Sequence, residues 1–323
     1  MIVKQRKKPI KALKLEALLR RLPSEHQKID ILKKELRKCL AGYNGEKAID
    51  FYLLQLSGDK HLVLHDLRLP DSTGHYIQLD ITILTAGFVV ILEVKNIAGT
   101  LLFDDVFNQL LRISKDDVQA LPDPLLQVER QKHQLHCFLE KHNIKNLPIV
   151  PLIVISNPST VLKADERRRN ISQKVIRAAA LPLKLSNLYN QFPNELFTQK
   201  ELRKLSRLLI KNHCTANPDI LSQFHIQKNE ILPGVYCPDC FYIPSKRKSG
   251  SWICPQCNSR SKDAHILSLK DYSLLISNQL TNKSIREFLC LNSYSIASKL
   301  LVSLELSHTG EGKGRKYELP YSD

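Results

Sequence analysis

Asp80, Glu93 and Lys95 are the residues whose types and spacing are best suited to chemistry. They lie in two apolar runs, Ile77 to Leu84 and Phe88 to Val94, joined at Ala86-Gly87. Both runs are short and rich in β-branched residues, which predicts strands rather than helices. Gly87 supplies the backbone freedom of a tight hairpin connection. A charged side chain among such neighbours is costly unless something pairs with it. Residues two apart on a strand share a face, so Glu93 and Lys95 point the same way, and Asp80 can reach them from the adjacent strand. Two carboxylates and an ammonium converging at a strand end suit a divalent cation (Mg²⁺ or Mn²⁺) and a phosphodiester. The cation would activate water and relieve charge at phosphorus, and the lysine would position or deprotonate the water or neutralise the phosphate. Taken by itself, an Asp followed by Glu-x-Lys is equally compatible with a solvated strand end.

The second chemical motif is Cys237-Pro-Asp-Cys240 with Cys254-Pro-Gln-Cys257. Four thiolates in this arrangement predict a tetrahedral Zn²⁺ that folds a zinc ribbon, since a small module of this kind lacks a core of its own. With four protein ligands such a zinc is structural. A redox CxxC pair is the competing reading, and two pairs in tandem argue against it. The segment between the pairs carries Lys246-Arg247-Lys248 and the single tryptophan, Trp252.

These motifs sit in a chain of 323 residues that is 43% hydrophobic, long enough for two or three domains and apolar enough for sizeable cores. No apolar run approaches the ~20 residues of a membrane helix, and the basic N-terminus lacks a following apolar segment and cleavage site. The expected location is the cytoplasm. Net charge is +16, and residues 1–38 hold 13 Lys+Arg against four acids. Such a surplus favours nucleic acid as partner over a solvated helical face. A membrane-surface helix would need an aromatic-rich apolar face that is lacking.

In order, residues 1–40 read as a basic helical extension. Gly42 and Gly45 punctuate before a helix from Glu46 to Leu56. A strand at His61 to Leu67 precedes the hairpin, and Asp104 to Asp123 reads as irregular. A helix from Pro124 to about Asn143 is followed by a buried strand, Leu147 to Ser156. Strand, helix, strand in this order predicts a mixed α/β core. Residues 157–180 are polar and basic, with Arg167-Arg168-Arg169, and helices follow to about residue 215. The expected division is 1–40 extension, 41–215 α/β domain, 216–234 linker, 235–265 zinc ribbon and 266–323 a helical domain with a basic Gly-rich β-loop.

Gly45-Glu46, Gln78-Leu79-Asp80, Ile91-Leu-Glu-Val-Lys-Asn96 followed by Gly99, and Asp123-Pro-Leu-Leu-Gln127 occur in an order that resembles the nuclease-related (NERD) domain of the PD-(D/E)XK, restriction-endonuclease-like superfamily. The resemblance covers roughly residues 40–160. It implies a mixed sheet flanked by helices and a metal-dependent nuclease site, with Asp80 and Glu93 as metal ligands, Lys95 as catalytic lysine, Glu46 as accessory acid and Gln127 nearby. Glu46 could equally be ordinary helix charge, and Gln127 a surface glutamine. The chain departs from the family in having Ile81 after the aspartate, Asp123 before the proline, and no tryptophan between the Glu-x-Lys strand and the next helix.

The C-terminal block resembles a winged helix-turn-helix domain. The resemblance implies that the helix Ser293 to Leu304 enters a DNA groove, presenting Lys299, and that the loop Gly310 to Lys316 contacts phosphate through Lys313, Arg315 and Lys316. The reading that follows is a Mg²⁺-dependent nuclease, acting on DNA in preference to RNA, whose appended modules hold substrate. Its alternative is a nucleic-acid-binding or signalling protein with a silent nuclease-like domain. Oligomeric state is not legible.

Overall fold

The computed structural model describes residues 1–320 except 57–60, 72, 105, 115–116 and 165–170, and it describes the side chains of neither Ala164 nor Lys313. The run Arg167-Arg168-Arg169 and the side chain of Lys313 therefore lie outside the described residues. The chain divides into two compact units: Met1–Lys7 with Leu40–Ala216, and Lys8–Cys39 with Asn217–Asp323. It opens with strand β1 (Ile2–Lys4), helix α1 (Ile10–Arg21) and helix α2 (Ile29–Leu54). Residues 1–40, expected as a helical extension, thus begin as a strand and contribute to both units. No described helix is long and apolar enough to cross a membrane.

The first unit contains β2 (His61–Pro70), β3 (Tyr76–Thr85), β4 (Val89–Lys95), β5 (Thr100–Asp104), β6 (Gln109–Ile113), β7 (Val118–Pro122), α3 (Pro124–Lys141), β8 (Ile149–Ile155), β9 (Val161–Ala164), α4 (Ile171–Lys174), β10 (Val175–Arg177), α5 (Leu181–Gln191) and α6 (Gln199–Lys211). The main sheet is six-stranded and mixed, in the order β1-β2-β3-β4-β8-β10. β2, β3 and β4 are antiparallel, whereas β1 joins β2, β8 joins β4 and β10 joins β8 in parallel. One face is covered by α2 and α5 through Ile49, Leu53, Leu181 and Leu185. The other is covered by α3 and α6 through Leu135, Phe138, Leu202 and Leu205. The expected mixed α/β core flanked by helices is what the chain forms.

Two local expectations are corrected. Asp104 to Asp123, read as irregular, forms β6 and β7 in a second sheet of order β7-β6-β5-β9. These strands bury little beyond Leu110, so they lack the apolar alternation that marks a strand in sequence. The glycines at 42 and 45 do not break a helix, because α2 runs through both. A Cβ at Gly45 would lie 2.3 Å from Asn96 Cβ and 2.8 Å from Ser156 Oγ. Gly45 lets the helix approach the ends of β4 and β8, a use that outweighs its helix penalty of roughly 1 kcal/mol.

The second unit continues with α7 (Ile220–Gln223), β11 (Lys246–Lys248), β12 (Ser251–Ile253), β13 (Arg260–Ser261), α8 (Ala264–Leu275), β14 (Gln279–Leu280), α9 (Asn282–Leu289), α10 (Tyr294–Ser303), β15 (His308–Thr309) and β16 (Lys316–Glu318). One of its cores joins Leu15 and Leu18 of α1 and Leu32 of α2 to Ile220, Leu221, Phe224, Ile226, Ile231 and Leu274. Residues 216–234, expected as a linker, therefore bury five apolar side chains in this cluster. Asp271 on α8 is fully buried and receives Arg21 Nε at 2.9 Å and Arg20 Nη2 at 2.6 Å. Arg21, itself fully buried, also donates to the carbonyls of Leu232 and Gly234. A second core gathers Trp252, Leu269, Ile285, Phe288, Leu289, Leu300, Leu301 and Tyr317. Ser293 caps α10 by accepting the Ile296 amide, as its position predicts. β14, β16 and β15 form a three-stranded antiparallel sheet.

Candidate functional sites

The strands of the main sheet part company at Asp80. β3 pairs with β4 only from Ile81 opposite Leu92 to Leu84 opposite Val89. Beyond this point β3 continues with β2, and Glu93 to Lys95 continue with β8. The alternation of β3 also breaks here, since Leu79 belongs to the core under α3 and Ile81 to the core under α2. Asp66, across from this break on β2, has a left-handed φ of 48°. In the fork, Asp80 Oδ2 accepts the Val94 amide at 2.8 Å, using a donor that the β3–β4 ladder leaves open.

Glu93 and Lys95 lie under α3, which starts cleanly because Asp123 caps it by accepting the Leu125 amide and Pro124 occupies its first turn. The departure from asparagine at position 123 thus preserves a helix cap. Gln127 and Gln131, one turn apart, project onto the strand pair. Lys95 Nζ lies 2.7 Å from Glu93 Oε1 and 3.0 Å from Gln127 Oε1. Gln131 Nε2 donates to Glu93 Oε2 at 2.8 Å and to the Gln78 carbonyl at 3.0 Å. Glu93 is 5% exposed, so each of its oxygens has a held partner where solvent is scarce.

Glu46 approaches from α2. Arg6 donates to Glu46 Oε2 and to the Glu46 carbonyl, to Asp50 Oδ1 at 3.2 Å and to His65 Nδ1 at 2.8 Å. The His65 imidazole is pushed down to about 4 by burial and by the Arg6 charge, so it stands neutral and can accept. Burial raises Glu46 to about 7. Arg6 opposes that shift, and the charges of Asp66, Glu93 and Asp50 add to it. Asp80 is raised well above the carboxylate range by burial of its carboxyl group and by Glu93 and Glu46, against the Val94 amide and Lys95.

The five residues Glu46, Asp80, Glu93, Lys95 and Gln127 are thus linked by contact or by charge. Gln131 and Arg6 were not singled out from sequence. Gln131 could have been found as the residue one turn beyond Gln127. Arg6 has no local signal, since it arrives through a strand paired some 60 residues away in the chain. The donor chemistry suits a hard cation, because carboxylate oxygens raise one another's affinity for protons and a divalent ion would relieve the same excess charge. Among the described residues, only the four cysteines bring three or more ligand atoms all within 4.8 Å. Asp80, Glu93 and Glu46 do not close around one point as they stand. Mg²⁺ keeps several waters and needs only one or two carboxylates.

The cysteines do close. Cys237 Sγ lies 3.6 Å from Cys257 Sγ, and Cys240 Sγ lies 3.5 Å from Cys254 Sγ. Tetrahedral coordination with ~2.3 Å bonds requires edges of about 3.8 Å. In each pair the first sulfur accepts an amide two residues on, from Asp239 and from Gln256. The set could hold zinc. The hairpin β11–β12 sets Arg247 against Trp252, with the guanidinium 5.0 Å from the ring centroid. Arg247 is thereby engaged within the ribbon. Lys299 is exposed on α10, Lys316 is exposed on β16, and Arg315 lines a small cavity with Tyr294 and Ser298 of α10.

No curated protein matches the chain. Residues 41–156, which hold Glu46, Asp80, Glu93, Lys95, Gln127 and Gln131, match the family model described as the nuclease-related domain, NERD, so the first unit carries a nuclease-related domain.

Proposed function

We propose that the protein is a metal-dependent nuclease that hydrolyses phosphodiester bonds in nucleic acid, DNA in preference to RNA. The observation that carries this reading is the fork at Asp80, where two carboxylates and a lysine from different strands face one another and α3 locks two of them. Asp80 and Glu93 would hold Mg²⁺ or Mn²⁺. When bound, the ion would supply charge relief at phosphorus and a more acidic water. Lys95, held between Glu93 and Gln127, would keep one positive charge beside the scissile phosphate and orient a water against it. Gln131 would hold Glu93 in place, and Glu46, close to neutrality in its ionisation, would exchange a proton at the site.

The second unit would bind substrate. The order α8, β14, α9, α10, β15, β16, with β14, β16 and β15 in one small sheet, supports a winged-helix reading. α10 would be the groove-facing helix through Lys299, and the loop between β15 and β16 would meet phosphate through Lys313, Arg315 and Lys316. The four cysteines would bind a structural zinc. The alternative, a binding or signalling protein whose nuclease-like domain is silent, differs only in what Asp80, Glu93 and Lys95 do. The test compares cleavage of single-stranded and duplex DNA and of RNA, with Mg²⁺ and Mn²⁺, by the wild type, Asp80→Ala and Lys95→Ala. Cleavage by the wild type and a loss of 100-fold or more in both variants is expected. Equal cleavage by all three would refute the assignment, and tight binding without cleavage of any polymer would favour the alternative.

A further inference from the structure

Beside the fork, the first unit holds a cavity of ≈ 670 Å³ between the β2–β3 turn and one flank of α3. Its inner wall includes Gln78, Gln127 and Gln131, the glutamines that touch Lys95 and Glu93 or one another. Asp80, Glu93 and Lys95 are not in its lining, and the cavity adjoins Lys95 and Glu93 through Gln127 and Gln131. Its outer wall includes Arg130, Lys141 and Tyr76. Arg130 and Lys141 are exposed and make no ion pair among the described residues. The one acid in the lining, Asp71, is already occupied. One of its oxygens accepts the Thr73 and His75 amides and the Thr73 hydroxyl, and the other accepts Gln134 Nε2. The balance of unpaired charge is positive, which suits phosphate.

Tyr76 supplies the other half of the recognition. It is 43% exposed, and the Arg68 guanidinium stacks on its ring at 3.4 Å from the centroid. Arg68 is itself held to the Cys214 carbonyl. The ring is thus fixed from behind and presented at the cavity wall, an aromatic platform with little left to order on binding. A base inside a duplex already has both faces stacked and cannot lie on such a platform. An unpaired base can, and base–aromatic stacking of this kind tolerates any sequence.

We infer that this cleft holds an unpaired nucleotide adjoining the scissile phosphate, its base stacked on Tyr76 and its phosphates met by Arg130 and Lys141, so that single-stranded nucleic acid or an unpaired segment is the substrate of the first unit. This inference rests on the nuclease reading and narrows its substrate class. It is tested on the full chain carrying Lys95→Ala, with no divalent cation added, by fluorescence anisotropy of a labelled oligothymidylate and of a matched duplex. Because the second unit has basic surface of its own, the readout is the change each further variant causes on each probe. Tyr76→Ala should weaken single-strand binding by roughly 5- to 100-fold and leave duplex binding within about twofold. Tyr76→Trp should keep the affinity, which separates loss of stacking from loss of fold. Arg130→Gln with Lys141→Gln should lower the single-strand slope of log affinity against log salt by about 1.4, about 0.7 per phosphate contact. Unchanged single-strand affinity in Tyr76→Ala, or equal losses on both probes, would overturn the cleft. A chain that binds single strands through Tyr76 yet cuts nothing, with Lys95 restored and Mg²⁺ or Mn²⁺ present, would keep the cleft and overturn the nuclease reading.

Discussion

Replacing Glu46 by glutamine should make the first unit more stable at neutral pH and change little in acid. Glu46 is raised from an ordinary value of 4.5 to about 7 by burial and by the neighbouring carboxylates. A carboxyl raised in the fold favours folding below its unfolded value, and that favour is lost as pH rises through the folded value. The difference corresponds to about 3 kcal/mol, lost between roughly pH 4.5 and 7. His65 titrates in the same range with the opposite sense. Depressed to about 4, it contributes stability above 6.5 that is lost as pH falls toward 4. The two trends nearly cancel in the wild type between about pH 4.5 and 6.5, so the observable is the difference between variant and wild type. Urea unfolding followed by far-UV circular dichroism at pH 5, 6, 7 and 8 should show Glu46→Gln gaining on the wild type by about 2.5 kcal/mol across the series. Trp252 fluorescence, which reports the second unit, should not separate the two proteins. A constant difference across the four pH values would refute the account of Glu46, and a variant that loses ground as pH rises would reverse its sign.

Two further outcomes concern the second unit. Cys254→Ser should abolish zinc, measured by elemental analysis as one ion per wild-type chain, and should shift Trp252 emission to the red as the ribbon loosens. A wild type purified without zinc, or a variant that keeps it, would contradict the four-cysteine site. Asp271→Asn should cost about 3–5 kcal/mol in urea unfolding read by Trp252, because it strands the buried Arg21 guanidinium without its countercharge; a loss below about 1 kcal/mol would show that the carbonyls of Leu232 and Gly234 suffice.

What the sequence displayed of this architecture depended on how local each cause was. The hairpin of β3 and β4 was legible because its alternation and its turn lie within one stretch. The facing of Asp80, Glu93 and Lys95 followed from that alternation, although the break at Asp80, which opens the fork, did not. The cysteine knuckles were legible because two short spacings determine them. Gly45 misled because glycine marks both helix ends and close approaches, and only the positions of Asn96 and Ser156 distinguish them. β6 and β7 were missed because strands half exposed on both faces carry no periodic apolar signal. β1 was missed for another reason. It pairs in parallel with a strand far along the chain, and nothing within Met1 to Lys7 announces that its arginine will meet Glu46.

The allocation of α1 to the second unit sets an order of events during synthesis. Ala12, Leu15, Ala17 and Leu18 emerge early, but Ile220, Leu274 and the Asp271 that neutralises Arg21 emerge some two hundred residues later. At ~5–20 residues per second, the ribosome takes on the order of ten seconds or more to deliver them. The first unit is fully translated at Ala216, before Asp271 and Leu274 are made, and can begin to fold while they are still to come. Until then the apolar stripe of this cationic segment lacks the partners that cover it in the folded chain.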